Sequence, residues 1–228
     1  MRTETADLIF DVPDGRLCFA QGDLDIWAEH LTWCYRLMGV GEGATIAVQD
    51  FGSSPLSFLG SALLMPNLTR GVAERLGGRF VGLDASPERV ALTPAVLAQL
   101  RVDVVVVRSS VADLLHEMSQ RAHPDMERAT ARTVVVFRDD EPLPARTMPW
   151  RHLLHVESAL LLAPECASCG RFHLRRGFYE PRGNVVRNLR LSSARPYRLQ
   201  GAEVVEPGHC QAGPDDWCVR YSVTAGAG

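Results

Sequence analysis

The sequence predicts an α/β fold: a parallel sheet flanked by helices, followed by a smaller β-rich region. Three observations carry this. Helix-like and strand-like segments alternate over the first 137 residues, the pattern of helices wound around a parallel sheet. Residues 103–107 and 133–137 are runs dominated by β-branched residues, as expected of strands buried on both faces. After Asp139 the texture changes to proline, glycine and arginine, with only short strand-like pieces. The division expected from this is 1–140 for the sheet region and 141–228 for the β-rich region.

The first clear element is a helix over residues 23–38. Leu24, Trp27, Ala28, Leu31, Cys34, Tyr35 and Met38 fall on one face at helical spacing. Asp23 is placed to cap it, and Gly39 to end it in a left-handed turn. A short strand at 44–48 follows. Residues 55–64 read as a helix opened by a plain Ser54 cap, 69–76 as a second helical piece, and 79–83 as the next strand. Ser86-Pro87 and Thr93-Pro94 each set a hydroxyl before a proline, the signature of a helix start. Ser110-Val111-Ala112-Asp113 has the form of a capping box. Pro142, Pro144 and Pro149 mark a turn-rich connection. Strand-like pieces lie at 184–189, 202–206 and 218–223, and the tail from 224 reads as frayed.

Composition narrows the function. Of 228 residues, 46% are hydrophobic and 22% charged, which argues for a globular chain and against disorder. A net charge of −3 supplies no general pull toward nucleic acid or an anionic membrane. No apolar run is long enough to span a bilayer. The acidic, polar start is unlike an export signal, so a cytoplasmic location is expected. All 24 basic side chains are arginine. With no lysine, this chain alone supplies neither a phosphate-loop lysine nor a Schiff base.

Chemistry concentrates near the C-terminus. Cys166 and Cys169 form a C-x2-C, His173 follows, and His209, Cys210 and Cys218 come from a second stretch bounded by proline and glycine. Thiolates and imidazoles brought together by loops are what a structural zinc needs; a set of reduced cysteines with surface histidines is the alternative. The arginines between 171 and 198 read as a solvated surface. Gly39 to Gly43 precede a strand, the wrong order for dinucleotide binding, and read as a helix-to-strand turn. His30 and His116 sit in helical patterns and read as partly exposed.

Several segments, in order, resemble the phenylacetate-CoA ligases of the adenylate-forming (AMP-binding) superfamily. Gly22-Asp23-Leu24-Asp25-Ile26-Trp27-Ala28, its helix, Gly39-Val40 and Thr45-Ile46-Ala47-Val48 are similar to the start of that family's catalytic region. Arg75 to Arg89 follows the family's order of elements. Val134-Val135-Val136-Phe137 through Glu141-Pro142-Leu143 is similar to its strand leading to G-E-P-L. Glu157 matches the glutamate closing Y-G-x-[ST]-E. Pro164-Glu165-Cys166 with His173 resembles its E-C…H element. Arg195-Pro196-Tyr197-Arg198 with Gly201 resembles R-Y-R-T-G, and His209-Cys210 falls where C-x-C-G-R would be. The resemblance spans residues 16–223.

The resemblance implies a reduced large domain of such a ligase, with Glu157 beside nucleotide and metal. It implies a structural zinc held by Cys166, His173, Cys210 and Cys218, with Cys169 and His209 as alternates. The departures matter equally. The phosphate loop has no counterpart ahead of residue 22. Leu153-Leu154 stand in place of Tyr-Gly, and Ala202 in place of the ribose-binding aspartate. The lysine-bearing C-terminal domain has no counterpart. The function expected is a ligase homologue without independent adenylation activity that retains binding of an acyl or aryl acid, a CoA ester or ATP/AMP. The alternatives are a zinc-stabilised protein partner of another enzyme and one subunit of a split ligase.

Overall fold

The β-branched runs form the centre of a six-stranded sheet. The computed structural model describes residues 8–12, 15–20, 22–52, 54–121, 132–138, 141 and 150–221. In chain order the sheet strands are β3 (Thr45–Gln49), β4 (Arg79–Leu83), β5 (Val104–Arg108), β6 (Thr133–Phe137), β7 (Arg151–Val156) and β8 (Leu161–Pro164). Their spatial order is β4-β3-β5-β6-β7-β8. All neighbours are parallel except β8, which returns antiparallel to β7. The mixed α/β class expected from the sequence is the class observed.

Strand periodicity explains how both faces are covered. Ile46, Val48, Val104, Val106, Val134 and Val136 point into one core, and Ala47, Val105, Val107 and Val135 into another. The first face packs with α1 (Asp23–Leu37) and the C-terminal region. The second carries Leu97 of α5 (Thr93–Leu100) and Leu115 of α6 (Ser109–Arg121). The short helices α2 (Pro55–Phe58), α3 (Val72–Leu76) and α4 (Pro87–Val90) fill the connections. A hairpin, β1 (Leu8–Val12) with β2 (Gly15–Phe19), precedes α1. Phe10 stacks on Phe58 and Phe19 on Trp27, fastening the hairpin beside the sheet ends.

Two small antiparallel sheets complete the chain. One joins β13 (Ala202–Val205), β14 (Trp217–Tyr221) and β9 (Phe172–Leu174). The other joins β10 (Tyr179–Arg182), β11 (Val185–Asn188) and β12 (Tyr197–Arg198).

Several expectations need correction. The helix expected over 55–64 stops at Phe58, and Gly60 just beyond it lies against the Phe80 ring, where a Cβ would collide. The piece expected from residue 69 becomes helical only at Val72. Thr93 is inside α5 and not its cap; its hydroxyl accepts a 2.7 Å bond from Gln49 Nε2. The helix α6 begins at Ser109, directly after β5. The main sheet also continues past residue 140, since β7 and β8 complete it. Pro142, Pro144, Pro149, the tail from 224 and the His116 side chain lie outside the described residues.

His30 is fully buried, not partly exposed. The helix α1 is sandwiched between sheet and C-terminal region, so a second face of it is covered. The His30 ring stacks 4.0 Å from Phe178, and its Nε2 lies 3.0 Å from the Tyr179 hydroxyl. Burial and the nearby Arg175 charge push its pKa down to about 3, so the imidazole is neutral.

The Tyr179 hydroxyl also donates to Leu160 O at 3.0 Å and accepts from Leu162 N at 2.9 Å. Leu160 is a buried leucine at φ 47, a strained conformation held by its surroundings. Its turn follows Glu157 directly, with Leu160 N bonded to Glu157 O. Tyr179→Phe is therefore expected to cost about 1–3 kcal/mol by orphaning buried groups, read as a lower denaturant midpoint at unchanged slope.

Candidate functional site

In open parallel sheets ligands bind beyond the carboxyl ends of the strands. Here those ends line a cavity of about 610 Å³. Asp50 follows β3, Arg108 ends β5, Arg138 and Glu141 follow β6, and His155, Val156 and Glu157 end and follow β7. Phe10 and Phe19 of the hairpin, with Trp27 and Tyr197, supply aromatic walls.

Arg108 is the centre of the polar end. Its Nε donates to Asp50 Oδ2 at 3.0 Å, and its Nη2 to Glu157 Oε1 at 3.0 Å. The Ser54 hydroxyl donates to Asp50 Oδ2 at 2.6 Å and accepts from Leu56 N at 3.3 Å, so it is the cap of α2 and a support for Asp50. Asp50 is 3% exposed, Arg108 19% and Glu157 30%, which places the ion pairs at the inner edge of the cavity. Ser109 Oγ donates to Glu141 Oε2 at 2.6 Å beside them.

His155 is fully buried, and neither ring nitrogen has a hydrogen-bond partner among the described residues. Burial, then the Arg108 charge, holds its pKa well below the ordinary histidine value, so it is neutral near pH 7. Trp27 Nε1 is likewise buried and without a partner among the described residues.

Of the cavity residues, the sequence reading singled out Glu157 and missed Asp50, Arg108 and His155 as a group. One signal was available: an arginine ending a run of four valines, at the carboxyl end of a central strand.

The second constellation is the cysteine–histidine group. Cys166, Cys169, His173 and Cys210 each offer a donor atom, all within 4.8 Å of one another. The chain turns tightly after β8, with Cys166 N bonded to Arg171 O at 2.8 Å and Gly170 in the left-handed region. This presents Cys166 and Cys169 toward His173 of β9, and Cys210 arrives from the loop between β13 and β14.

The Cys166 and Cys210 sulfurs are 3.6 Å apart, and Cys169 Sγ is 3.2 Å from His173 Nε2. Four-coordinate zinc with Zn–S bonds of about 2.3 Å sets sulfurs about 3.8 Å apart, so the donor set fits. Asp216 Oδ2 stands 3.9 Å from the otherwise unpartnered His173 Nδ1, on the side away from the sulfurs. Burial pushes the Cys210 thiol pKa up, but the Ala212 amide and the Cys169 and Cys166 thiols outweigh it and hold it below the ordinary value.

Cys218 is buried with Sγ 3.8 Å from His173 Nε2, but stands outside the group. The sequence reading preferred Cys218 and gave Cys169 and His209 as alternates; the four donors brought together include Cys169, while His209 is exposed and outside the group. The group can hold a metal ion.

No family model and no curated protein matches the sequence. Solved structures do match. A 2-hydroxyisobutyryl-CoA ligase in an open conformation, complexed with 2-HIB-AMP and CoA, superposes with a TM-score of 0.68 at 11% identity, covering 96% of this chain and 57% of that one. The same ligase in its postadenylation state with 2-HIB-AMP gives 0.64 at 12% identity, covering 93% and 50%. In the thioesterification state with 2-HIB-AMP and CoA it gives 0.63 at 13% identity. The chain thus spans about half the length of the ligase structures it matches, and it has the fold of the corresponding part of an adenylate-forming ligase.

Proposed function

We propose that this chain is a ligand-binding member of the phenylacetate-CoA ligase-like group that does not adenylate an acid by itself. Its small-molecule site is the cavity beside Glu157, and a zinc ion on Cys166, Cys169, His173 and Cys210 holds its C-terminal region. One observation carries the reading. The carboxylate that the resemblance sets beside nucleotide and metal is engaged by the Arg108 guanidinium, which also grips Asp50. On this reading the guanidinium balances the charge that a nucleotide-bound metal would otherwise meet at Glu157. Adenylation also needs positive charge on the α-phosphate, and this chain has no lysine to supply it. The fold shared with ligases that bind 2-HIB-AMP and CoA supports an acyl or CoA-ester ligand.

Pyrophosphate exchange with ATP and a panel of aryl and aliphatic acids tests the first half. The expected rate equals that of a no-protein control, and acid-dependent exchange above it overturns the reading. Calorimetry with AMP, CoA and phenylacetyl-CoA tests the second. Phenylacetyl-CoA is expected to bind, and Glu157→Gln to weaken it at least fivefold. Binding that Glu157→Gln leaves unchanged removes the site from this cavity.

A further inference from the structure

The chemistry of the cavity selects among acyl ligands by charge. Its described lining contains four carboxylates, Asp11 (paired with Arg16 outside the lining), Asp50, Glu141 and Glu157, against two guanidinium groups, Arg108 and Arg138. Arg108 is already bonded to two of those carboxylates. A ligand carboxylate entering here meets like charge and no uncommitted Arg108 charge, a juxtaposition that disfavours binding.

Unsatisfied groups point to the ligand that does fit. Trp27 Nε1 is a donor with no acceptor among the described residues, and neutral His155 offers one donor and one acceptor. Both residues line the cavity and are completely buried. Buried polar groups are nearly always paired, and these orphan atoms belong to two residues that line the cavity, where a small side-chain shift would let a ligand reach them. Glu157 uses Oε1 for Arg108 and leaves Oε2 without a hydrogen bond among the described residues. The remaining walls are aromatic, with Phe10, Phe19 and Tyr197 prominent. The volume of about 610 Å³ lies within the ordinary range for small-molecule sites.

We infer that this cavity takes a small uncharged aromatic group carrying both a hydrogen-bond donor and an acceptor, the class of aryl amides, in preference to the free aryl carboxylate. The inference rests on the proposed site beside Glu157 and names its substrate class. It places the protein after the step that masks an acid's charge, with acids already converted to neutral carbonyl derivatives.

Isothermal calorimetry at pH 7.5 on the full chain, with phenylacetamide and phenylacetate as probes, tests it. Phenylacetamide is expected to bind at least tenfold more tightly. His155→Phe keeps the packing and removes the hydrogen bonds, and is expected to weaken phenylacetamide at least fivefold. Glu157→Gln removes one like charge and is expected to narrow the amide-to-acid ratio at least threefold by tightening phenylacetate. Thermal unfolding accompanies each variant; if His155→Phe does not fold, the Glu157→Gln ratio decides alone. Equal or tighter binding of phenylacetate overturns the charge selection and leaves the site in place. Phenylacetamide binding indifferent to both substitutions overturns the site itself. Failure of both probes to bind at millimolar concentration overturns the ligand class.

Discussion

Cys166→Ser and Cys210→Ser are each expected to abolish zinc binding, from about one ion per chain to below about a tenth, and to release the C-terminal third from its fold. The region from Cys166 onward packs Phe172, Leu174, Phe178 and Tyr179 into the main core, but it has little packing at the cysteines themselves. Its strands are short, and the cluster at the cysteines is confined to Leu37, Cys166 and Cys210, with Trp33 and Cys169 packed against it. Structural zinc contributes about 10–16 kcal/mol in small zinc modules, more than such packing supplies. Metal analysis of protein purified without chelator, with limited proteolysis, reads both effects. Cleavage is expected to accelerate after residue 164 while the parallel sheet persists. Cys169→Ser is expected to behave as Cys166→Ser does, and Cys218→Ser to keep the metal, since its sulfur stands outside the four-donor group. Zinc retained in Cys169→Ser but lost in Cys218→Ser would restore the ligand set read from the sequence.

That choice between Cys169 and Cys218 shows what spacing cannot carry. Cys218 and His173 are direct partners across the β14–β9 ladder, so they are neighbours through strand pairing. Which sulfur closes the tetrahedron depends on the turn after Cys166, set by local backbone bonds and not by cysteine count. The central strands were legible for the opposite reason: valine runs buried on two faces leave few other structures for residues 104–107 and 133–137. The strands β7 and β8 were harder to read, because Arg151-His152-Leu153-Leu154-His155 mixes charge with leucine although most of it is buried. Its polar groups are accommodated one by one, as where His152 Nδ1 lies 2.8 Å from the buried Glu165 carboxylate. His30 reads as partly exposed until the C-terminal region covers the second face of α1. For His30, β7 and β8 the missing information is tertiary; for the cysteines it is the conformation of one local turn.

The cavity supplies the second large effect. Arg108→Met is expected to destabilise the protein by about 2–3 kcal/mol, read as a lower denaturant midpoint with unchanged slope. Removing the guanidinium leaves Asp50 buried with, among the described residues, only the Ser54 hydroxyl and the Phe51 amide as partners. An uncompensated buried charge costs about 3–5 kcal/mol; the lower figure applies because Arg108 and Glu157 keep partial contact with water. Asp50→Asn in the Arg108→Met background is expected to recover more than half of the loss, since it removes the stranded charge and retains hydrogen-bonding atoms. Glu157→Gln in that background is expected to recover much less, because the Glu157 carboxylate is the more solvated partner. Arg108→Lys is expected to fall short of full restoration, since an ammonium lacks the planar fork that spans both carboxylates. The same cycle bears on function. Without the guanidinium the cavity lining is more negative, so phenylacetate binding should weaken further while phenylacetamide changes little. A loss below about 1 kcal/mol for Arg108→Met, the level of an exposed ion pair, would mean that the arginine does not anchor the strand ends. The internal cation that carries the non-adenylating reading would then be a surface contact.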